Sequence, residues 1–377
     1  MGNLHCIQLT SVKQLRAAAT AWDDLWWRSD AALPTARAEL LAQWIEQFKP
    51  GAGFRALIIA DQQQWVAALP LVSCRVGGVM TAGGLPSNSW TPCGELLLSP
   101  AADADAVLDC LLEAVAELPW QLLWLNDAQP ESPRWQAFLR ACDRAGVASN
   151  CHERFRVGRV EIDHNWELYQ KRLPKNHRQT VHRALRRLND EGTVQFEMQS
   201  RLDVQEVEPW LQAAFELEDR GWKSEAQSSV LHTPNMIRFL VGHAQQLARW
   251  GQLATAALRL NGQMLAYIYG FRAKGVYFAH KISYDPAFAA YSPGQVLFNH
   301  VLEQLHADSE AQALDFVGPL NQSLSRWRPA TYAVGRVVLA PRKLSGRVAM
   351  YAYTHWWRPY RQWKTAAATA QKEVTAT

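Results

Sequence analysis

The segment Tyr284-Asp285-Pro286, followed by Tyr291-Ser292-Pro293-Gly294-Gln295-Val296-Leu297, says most about this chain. It lies between a strand-like run from Gly275 to Ser283 and an amphipathic helix over about Gln295 to His306. An extended segment, a tight Pro-Gly turn and an immediate helix start leave several backbone N–H groups unpaired and pointing one way. That is a cradle for a phosphate-bearing cofactor at a helix N-terminus, formed here by Ser292, Pro293, Gly294 and Gln295. Pro-Gly turns before helices are common, so the surrounding pattern carries the weight.

Around that segment the chain alternates helices and strands. The first half predicts helices over 12–29, 36–48, Ala104 to Glu117 and Ser132 to Gly146. Strands are expected at Phe54 to Ala60, Trp65 to Cys74, Glu95 to Leu98 and Leu122 to Asn126, with a glycine-rich loop ending at Gly94. In the second half, helices are expected at Trp166 to Arg172, Lys175 to Glu191, Val204 to Asp219 and Pro234 to Gly251. Strands are expected at Arg156 to Ile162, Thr193 to Met198, Gly275 to Ser283 and Leu314 to Val317. Leu253 to Leu260 and Gln263 to Arg272 meet at an Asn-Gly pair, the strongest short hairpin signal. Helices, an antiparallel hairpin and then strand–helix–strand occur twice, which predicts two tandem α/β modules of mixed, mostly antiparallel sheet flanked by helices.

A chain of 377 residues has room for two such cores. No apolar run approaches the ~20 residues that span a bilayer, and no secretory leader opens the chain. Six scattered cysteines without CxxC spacing predict reduced thiols and no structural metal, so a cytoplasmic protein is expected. Residues 1–153 hold 10 Lys+Arg against 16 Asp+Glu, whereas residues 154–377 hold 29 against 19. The second half is therefore the one expected to meet anionic ligands.

Five short motifs stand in order across about residues 154–335: Gly221-Trp222-Lys223 after a helix, the Leu258 to Tyr269 hairpin, Lys281 with Tyr284-Asp285, Ser292-Pro293-Gly294, and Asp315-Phe316 with Gly318. In that order and spacing they resemble the GNAT N-acyltransferase superfamily, specifically double-module proteins of the CelD/BcsL type. Those are cellulose-biosynthesis-associated acetyltransferases related to the FemABX aminoacyl transferases. The first half fits the family's degenerate first module. The resemblance implies modules at 1–153 (degenerate) and 154–345 (catalytic), with an aromatic and basic segment at 346–377. Near Leu324-Ser325-Arg326-Trp327, where the family often has a Tyr-Lys pair, this chain keeps an Arg before the Trp.

The resemblance also implies chemistry. An amine attacks the thioester of an acyl-CoA, or of an acyl-carrier protein, in a ternary complex, and the protein supplies positioning, an oxyanion donor and proton traffic. The splayed strand would be Val276 to Ser283 and the phosphate cradle Ser292 to Gln295. Tyr284 or Tyr291 would protonate the departing thiolate, unless either is a core or rim aromatic. Asp315 would take or position the acceptor's proton. Lys281 would position an anionic acceptor or carbonyl. Asp285 would orient a base or form an Asx turn before Pro286. Trp222 and Lys223, with Arg326 and Trp327, would wall the acceptor pocket. The acceptor would be an amine on a small metabolite, amino acid or glycan. Two alternatives are a FemABX-like transferase using aminoacyl-tRNA and a non-catalytic scaffold in a polysaccharide-biosynthesis cluster.

Two further features are charged. Arg178, His182 and Arg186 share one helical face, with Arg183 and Arg187 adjacent. This face is either solvated or a dock for an acidic carrier protein, a CoA phosphate or an anionic acceptor. No RNA-binding motif accompanies it, so nucleic acid is not the expected partner outside the tRNA alternative. Trp356, Trp357, Tyr360 and Trp363 alternate with Arg358, Arg361 and Lys364, a composition suited to peripheral contact with a membrane or to packing on the catalytic module.

Overall fold

The computed structural model describes residues 3–51, 53–78, 80–199, 202–220, 229–341, 346, 348, 350 and 351. Strands run at β1 (Leu4–Leu9), β2 (Arg55–Asp61), β3 (Gln64–Val76), β4 (Met80–Gly84), β5 (Leu97–Leu98), β6 (Leu123–Ala128) and β7 (Ala148–Glu161). They continue with β8 (Val194–Gln199), β9 (Leu253–Leu260), β10 (Gln263–Ala273), β11 (Val276–Tyr284), β12 (Ala313–Pro319) and β13 (Ala330–Ala340). The protein is mixed α/β, with mostly antiparallel strands flanked by helices. No helix among the described residues is long and apolar enough to cross a membrane.

Two compact units divide the chain, and neither is contiguous. The first takes residues 1–31 and 44–154 and the described residues from Val334 on; the second takes Ala32–Gln43 and Phe155–Ala333. In the first, strands lie in the order β1-β2-β3-β4-β6-β13, with β5 on β3. In the second, the order from the other edge is β8-β9-β10-β11-β12-β7. Each unit therefore has four antiparallel strands, then a parallel neighbour (β6 on β4, β12 on β11), then an antiparallel last strand. The doubled pattern read from the sequence is a doubled topology.

Most elements follow from local chemistry. The β9–β10 turn has Asn261 at φ 50° and Gly262 at φ 83°, the pair of left-handed residues that a two-residue hairpin of this twist needs. Asp103, Asn165 and Asp203 cap their helices with side-chain oxygens. The helix expected over 12–29 divides into Val12–Ala17 and Ala19–Arg28, because Ala18 leaves helical geometry at φ −99°, ψ 11°.

Three strands escape the sequence patterns. In β1 only Leu9 is buried, so it shows little apolar alternation. β13, bracketed by Pro329 and Pro341, is exposed at its start and mostly buried from Ala333 on, so it shows no apolar alternation. β4 lies in the stretch expected as a glycine-rich loop. Its Gly83 is needed because a Cβ there would stand 2.4 Å from the Trp120 ring. The first core sets Leu57, Ile59 and Leu69 against Leu108, Leu111, Trp135 and Phe138 of helices Ala104–Ala116 and Pro133–Arg144. In the second unit, Ala256, Leu258, Ile268, Leu314 and Phe316 meet Val181 and Leu188 of helix Lys175–Glu191 and Val296, Leu297 and Val301 of helix Pro293–Ala307. Tyr267, between two residues of that core, turns to the opposite face and meets Trp210 and Phe215 of helix Val204–Asp219. Trp222, Lys223 and the aromatic and basic run from Trp356 lie outside the described residues.

Candidate functional site

Strands β11 and β12 of the second unit run parallel for three pairs only, Val276 with Ala313, Tyr277 with Leu314 and Phe278 with Asp315. Beyond that point they part. The β12 chain bends at Val317, a β-branched residue at φ 58°, and Leu320 N–H goes to the Arg156 carbonyl of β7 at 2.9 Å. The Asp315 carboxylate holds the bend, accepting from Val317 N–H at 2.7 Å and from Tyr332 O–H at 3.0 Å. Meanwhile β11 continues along β10 to Tyr284, past an irregularity in register between Tyr269 and Gly270. One extra β11 residue is accommodated there, since Gly270 faces Ala279 while Tyr269 faces Lys281. Gly270 is required by the close approach: a Cβ would lie 2.2 Å from the Phe278 carbonyl oxygen. On its other edge, β11 from Ala279 on has no paired strand among the described residues.

The exposed edge leads to the Pro-Gly segment. Asp285 is buried, donates its N–H to the Leu265 carbonyl at 2.8 Å and accepts from Ala287 N–H at 3.0 Å, forming an Asx turn into a 3₁₀ turn over Pro286–Tyr291. Its second oxygen takes Arg220 at 3.1 Å. Ser292 then adopts the left-handed conformation (φ 46°, ψ 49°) and helix Pro293–Ala307 starts with no side-chain cap. Gln295 and Val296 N–H groups reach back to the Ser292 carbonyl at 3.0 and 3.2 Å. The Gln295 amide nitrogen donates to Ser323 Oγ at 2.6 Å, while its buried oxygen has no hydrogen-bond partner.

A cavity of about 620 Å³ lies in the splay. Ile282, Ser283 and Tyr284 of β11 form one wall and Pro286, Ala289 and Ser292 to Gln295 the next. Asn321, Ser323, Leu324 and Arg326 come from the short helix Gln322–Ser325 and its flanks, Phe298 from the helix, and Glu218 from the end of helix Val204–Asp219. Apolar and polar side chains together line this cavity, as in small-molecule sites. Arg326 is exposed and has no carboxylate partner among the described residues. Its charge reaches His177, whose imidazole burial first and Arg326 second hold below the usual range.

The sequence candidates distribute unevenly about this cavity. Ser292, Pro293, Gly294, Gln295, Tyr284 and Arg326 line it together. Tyr291 does not: its hydroxyl donates to Glu191 at 2.5 Å and its ring lies under Arg187 at 4.6 Å, tying the turn to helix Lys175–Glu191. The bond to Glu191 raises the Tyr291 pKa, so this phenol is a poor proton donor in addition to being outside the lining. Asp285 takes the Asx-turn alternative, its oxygens already engaged. Asp315 is buried away from the lining, with burial raising its pKa to about 6, and acts as the brace of the splay. Lys281 precedes the lining residues without joining them. Trp327 is fully buried in the core, edge-on to His177 at 4.5 Å, so it underlies Arg326 and walls nothing. Of the basic face, Arg178 is half-buried, Arg183, Arg186 and Arg187 are exposed, and Arg187 alone reaches the turn, donating to the Ala290 carbonyl at 3.3 Å.

Glu218, Asn321 and Ser323 are site residues that the motifs do not reveal. A signal for Glu218 exists: it continues the apolar stripe Val207, Leu211, Ala214, Phe215 of its helix, where a carboxylate is out of place. No group of three His, Cys, Asp or Glu among the described residues is placed to hold a metal ion.

Residues 175–323 match a family model described as an acetyltransferase (GNAT) domain. Among solved structures, FemX is similar over 89% of this chain and 96% of its own, with 10% identity and a TM-score of 0.59. A conserved protein of unknown function from Bacteroides thetaiotaomicron VPI-5482 is similar over 90% of this chain and 100% of its own, with 12% identity and a TM-score of 0.54. No curated protein matches. The fold is similar to that of FemX, and the match of residues 175–323 to the GNAT domain supports an acyltransferase-type activity.

Proposed function

We propose that the second unit transfers an acyl group from a pantetheine thioester, acyl-CoA or its carrier-bound equivalent, to an amine acceptor. The observation that carries this reading is the splay after Phe278 and Asp315, opening a cavity onto an uncapped helix N-terminus. The fit to a diphosphate is specific. No side chain caps this N-terminus. Pro293 has no N–H and the Gln295 and Val296 N–H groups reach the Ser292 carbonyl, which leaves the Gly294 N–H as the first-turn donor. A Cβ on Gly294 would find only Tyr284 at 3.7 Å, and Arg326, without a carboxylate partner among the described residues, shares the cavity.

The donor supplies an activated acyl carbonyl. Ser292 to Gln295 and Arg326 hold its phosphates; Ile282, Phe298 and Leu324 exclude water from the arm; and N–H groups on the β11 edge orient the carbonyl. Tyr284 lines the wall with a partly exposed ring and gives a proton to the departing sulfur. The resemblance to CelD/BcsL proteins favours a glycan or small-metabolite amine as acceptor. Isothermal titration with CoA and acetyl-CoA tests the reading. Micromolar binding with a rise in Tm by mass action is expected, and absence of any binding overturns it.

Arg183 and Arg186, exposed and without a carboxylate partner among the described residues, favour a second reading, with the acyl group delivered on an acidic macromolecule. Transfer from an acyl-carrier protein or aminoacyl-tRNA, without transfer from acyl-CoA, would identify it.

A further inference from the structure

Cys6 and Cys110 lie far apart in sequence, and both belong to the first unit. β1 is the outer strand of its sheet and pairs with β2, where Cys6 stands opposite Ile59. Residues directly opposite in an antiparallel pair share a face, and Ile59 is fully buried in the core with Leu108 and Leu111 of helix Ala104–Ala116. Leu4, two residues before Cys6 and so on its face of the strand, packs against that core as well. Cys110 is half-buried on the same helix and packs there too. The helix therefore lies over the face of β1 that carries Cys6. The two sulfurs are near enough for charge on one to act on the other: burial first, and a Cys110 thiolate second, push the Cys6 pKa up. At Cys74, Cys93, Cys142 and Cys151 burial is the leading cause and no second cysteine contributes. Both members of the pair are free thiols, and Cys6 is exposed.

We propose that Cys6 and Cys110 are an oxidisable pair whose disulfide staples β1 to helix Ala104–Ala116. The strand is otherwise lightly held. Leu9 is its single buried residue, and its outer edge has no paired strand among the described residues. The oxidant is a low-molecular-weight disulfide of the glutathione class. The exposed Cys6 thiolate attacks one of its sulfurs, which forms a mixed disulfide and expels one glutathione thiolate. Cys110, once deprotonated, attacks the Cys6 sulfur; the Cys6–Cys110 bond forms and the second glutathione leaves. Two protein thiols thereby lose two electrons and two protons, and glutathione disulfide gains them as two thiols. Burial keeps both protein thiols protonated at neutral pH, so the exchange quickens as pH rises.

The full chain is incubated with glutathione disulfide at about pH 8.5, where thiolates are populated, and its intact mass and tryptic peptides are read by mass spectrometry. The wild type should become lighter by two hydrogens, with Cys6 and Cys110 in one cross-linked peptide. In Cys110→Ser no second thiol resolves the intermediate, so Cys6 should retain one glutathione. Cys151→Ser removes another exposed thiol and should leave the cross-link unchanged. The oxidised wild type should melt about 5 °C above its reduced form, a rise absent in C110S. Wild-type protein that keeps glutathione on Cys6 while Cys110 remains a thiol overturns the pairing, as does a cross-link to another cysteine or between chains. A Cys6–Cys110 bond that leaves Tm unchanged overturns the staple.

Discussion

Phe278 and Asp315 are the last residues at which β11 and β12 stand side by side. The cavity is set by their divergence past this pair: β11 runs on toward the start of helix Pro293–Ala307, and β12 is bent away by the Asp315–Val317 hydrogen bond. The Asp315 carboxyl is buried, and burial lifts its folded-state pKa to about 6 from 3.8. Ionisation is thus easier in the unfolded chain, and this group's contribution to stability falls as pH rises from about 4 to about 6. Between pH 4.5 and pH 7 it should remove about 2 kcal/mol. Urea unfolding of wild type and Asp315→Asn at the two pH values checks this. The stability difference between them should shift by about that amount in favour of the variant at pH 7, and a pH-independent difference would contradict it.

Gly270 lies at the register shift made by the extra β11 residue and has no room for a side chain. Gly270→Ala should destabilise the protein by about 3 kcal/mol, an overpacking cost, and weaken CoA binding through displacement of β11. Chemical denaturation reads the first effect and titration the second. A variant as stable as wild type would show that the strand yields without cost.

Arg326→Gln should raise the Kd for CoA about tenfold, the order of one lost charge-assisted contact. Pantetheine has no diphosphate, so its weaker binding should be unaffected. Equal loss for both ligands would place Arg326 on the arm or the acceptor instead.

Tyr284 and Tyr291 are separated by what their hydroxyls meet. Tyr284→Phe is expected to lower kcat about a hundredfold, the lower range for a positioned proton donor. Tyr291→Phe should leave kcat within about twofold, since its phenol serves Glu191 and not the cavity. The reverse ranking in steady-state assays would exchange their roles.

Arg183 and Arg186 are exposed and have no carboxylate partner among the described residues. Replacing both by Glu should leave stability within about 0.5 kcal/mol. Affinity for an acidic acyl-carrier protein should fall and lose most of its salt dependence, with CoA kinetics unaltered. Unchanged carrier binding at low salt would leave this helix face merely solvated.

The parts legible before the structure are those governed by neighbours in sequence. Lys175–Glu191 shows its apolar stripe at His177, Val181, Ala184 and Leu188, and Asn261-Gly262 announces its hairpin. Ser292 to Gln295 could be read as a helix start because an N-terminus depends on a few consecutive residues. Tyr291, Trp327 and Asp285 kept alternative readings because a short motif does not say which way a side chain turns. Each proved to be engaged by a partner far along the chain: Glu191, His177 and Arg220.

Segment type, the doubled order of elements and the helix start at Ser292 to Gln295 were therefore written in local patterns, where hydrogen bonding and side-chain period act over a turn or two. The cavity belongs to a different scale. Glu218, Ile282 to Tyr284, Ser292 to Gln295 and Arg326 meet because β12 bends at Val317 and because helix Val204–Asp219 packs on the far face of β10 from its core residues. Contacts between segments tens of residues apart depend on how sheets and helices close over one another, and no stretch of neighbouring residues encodes that closure alone.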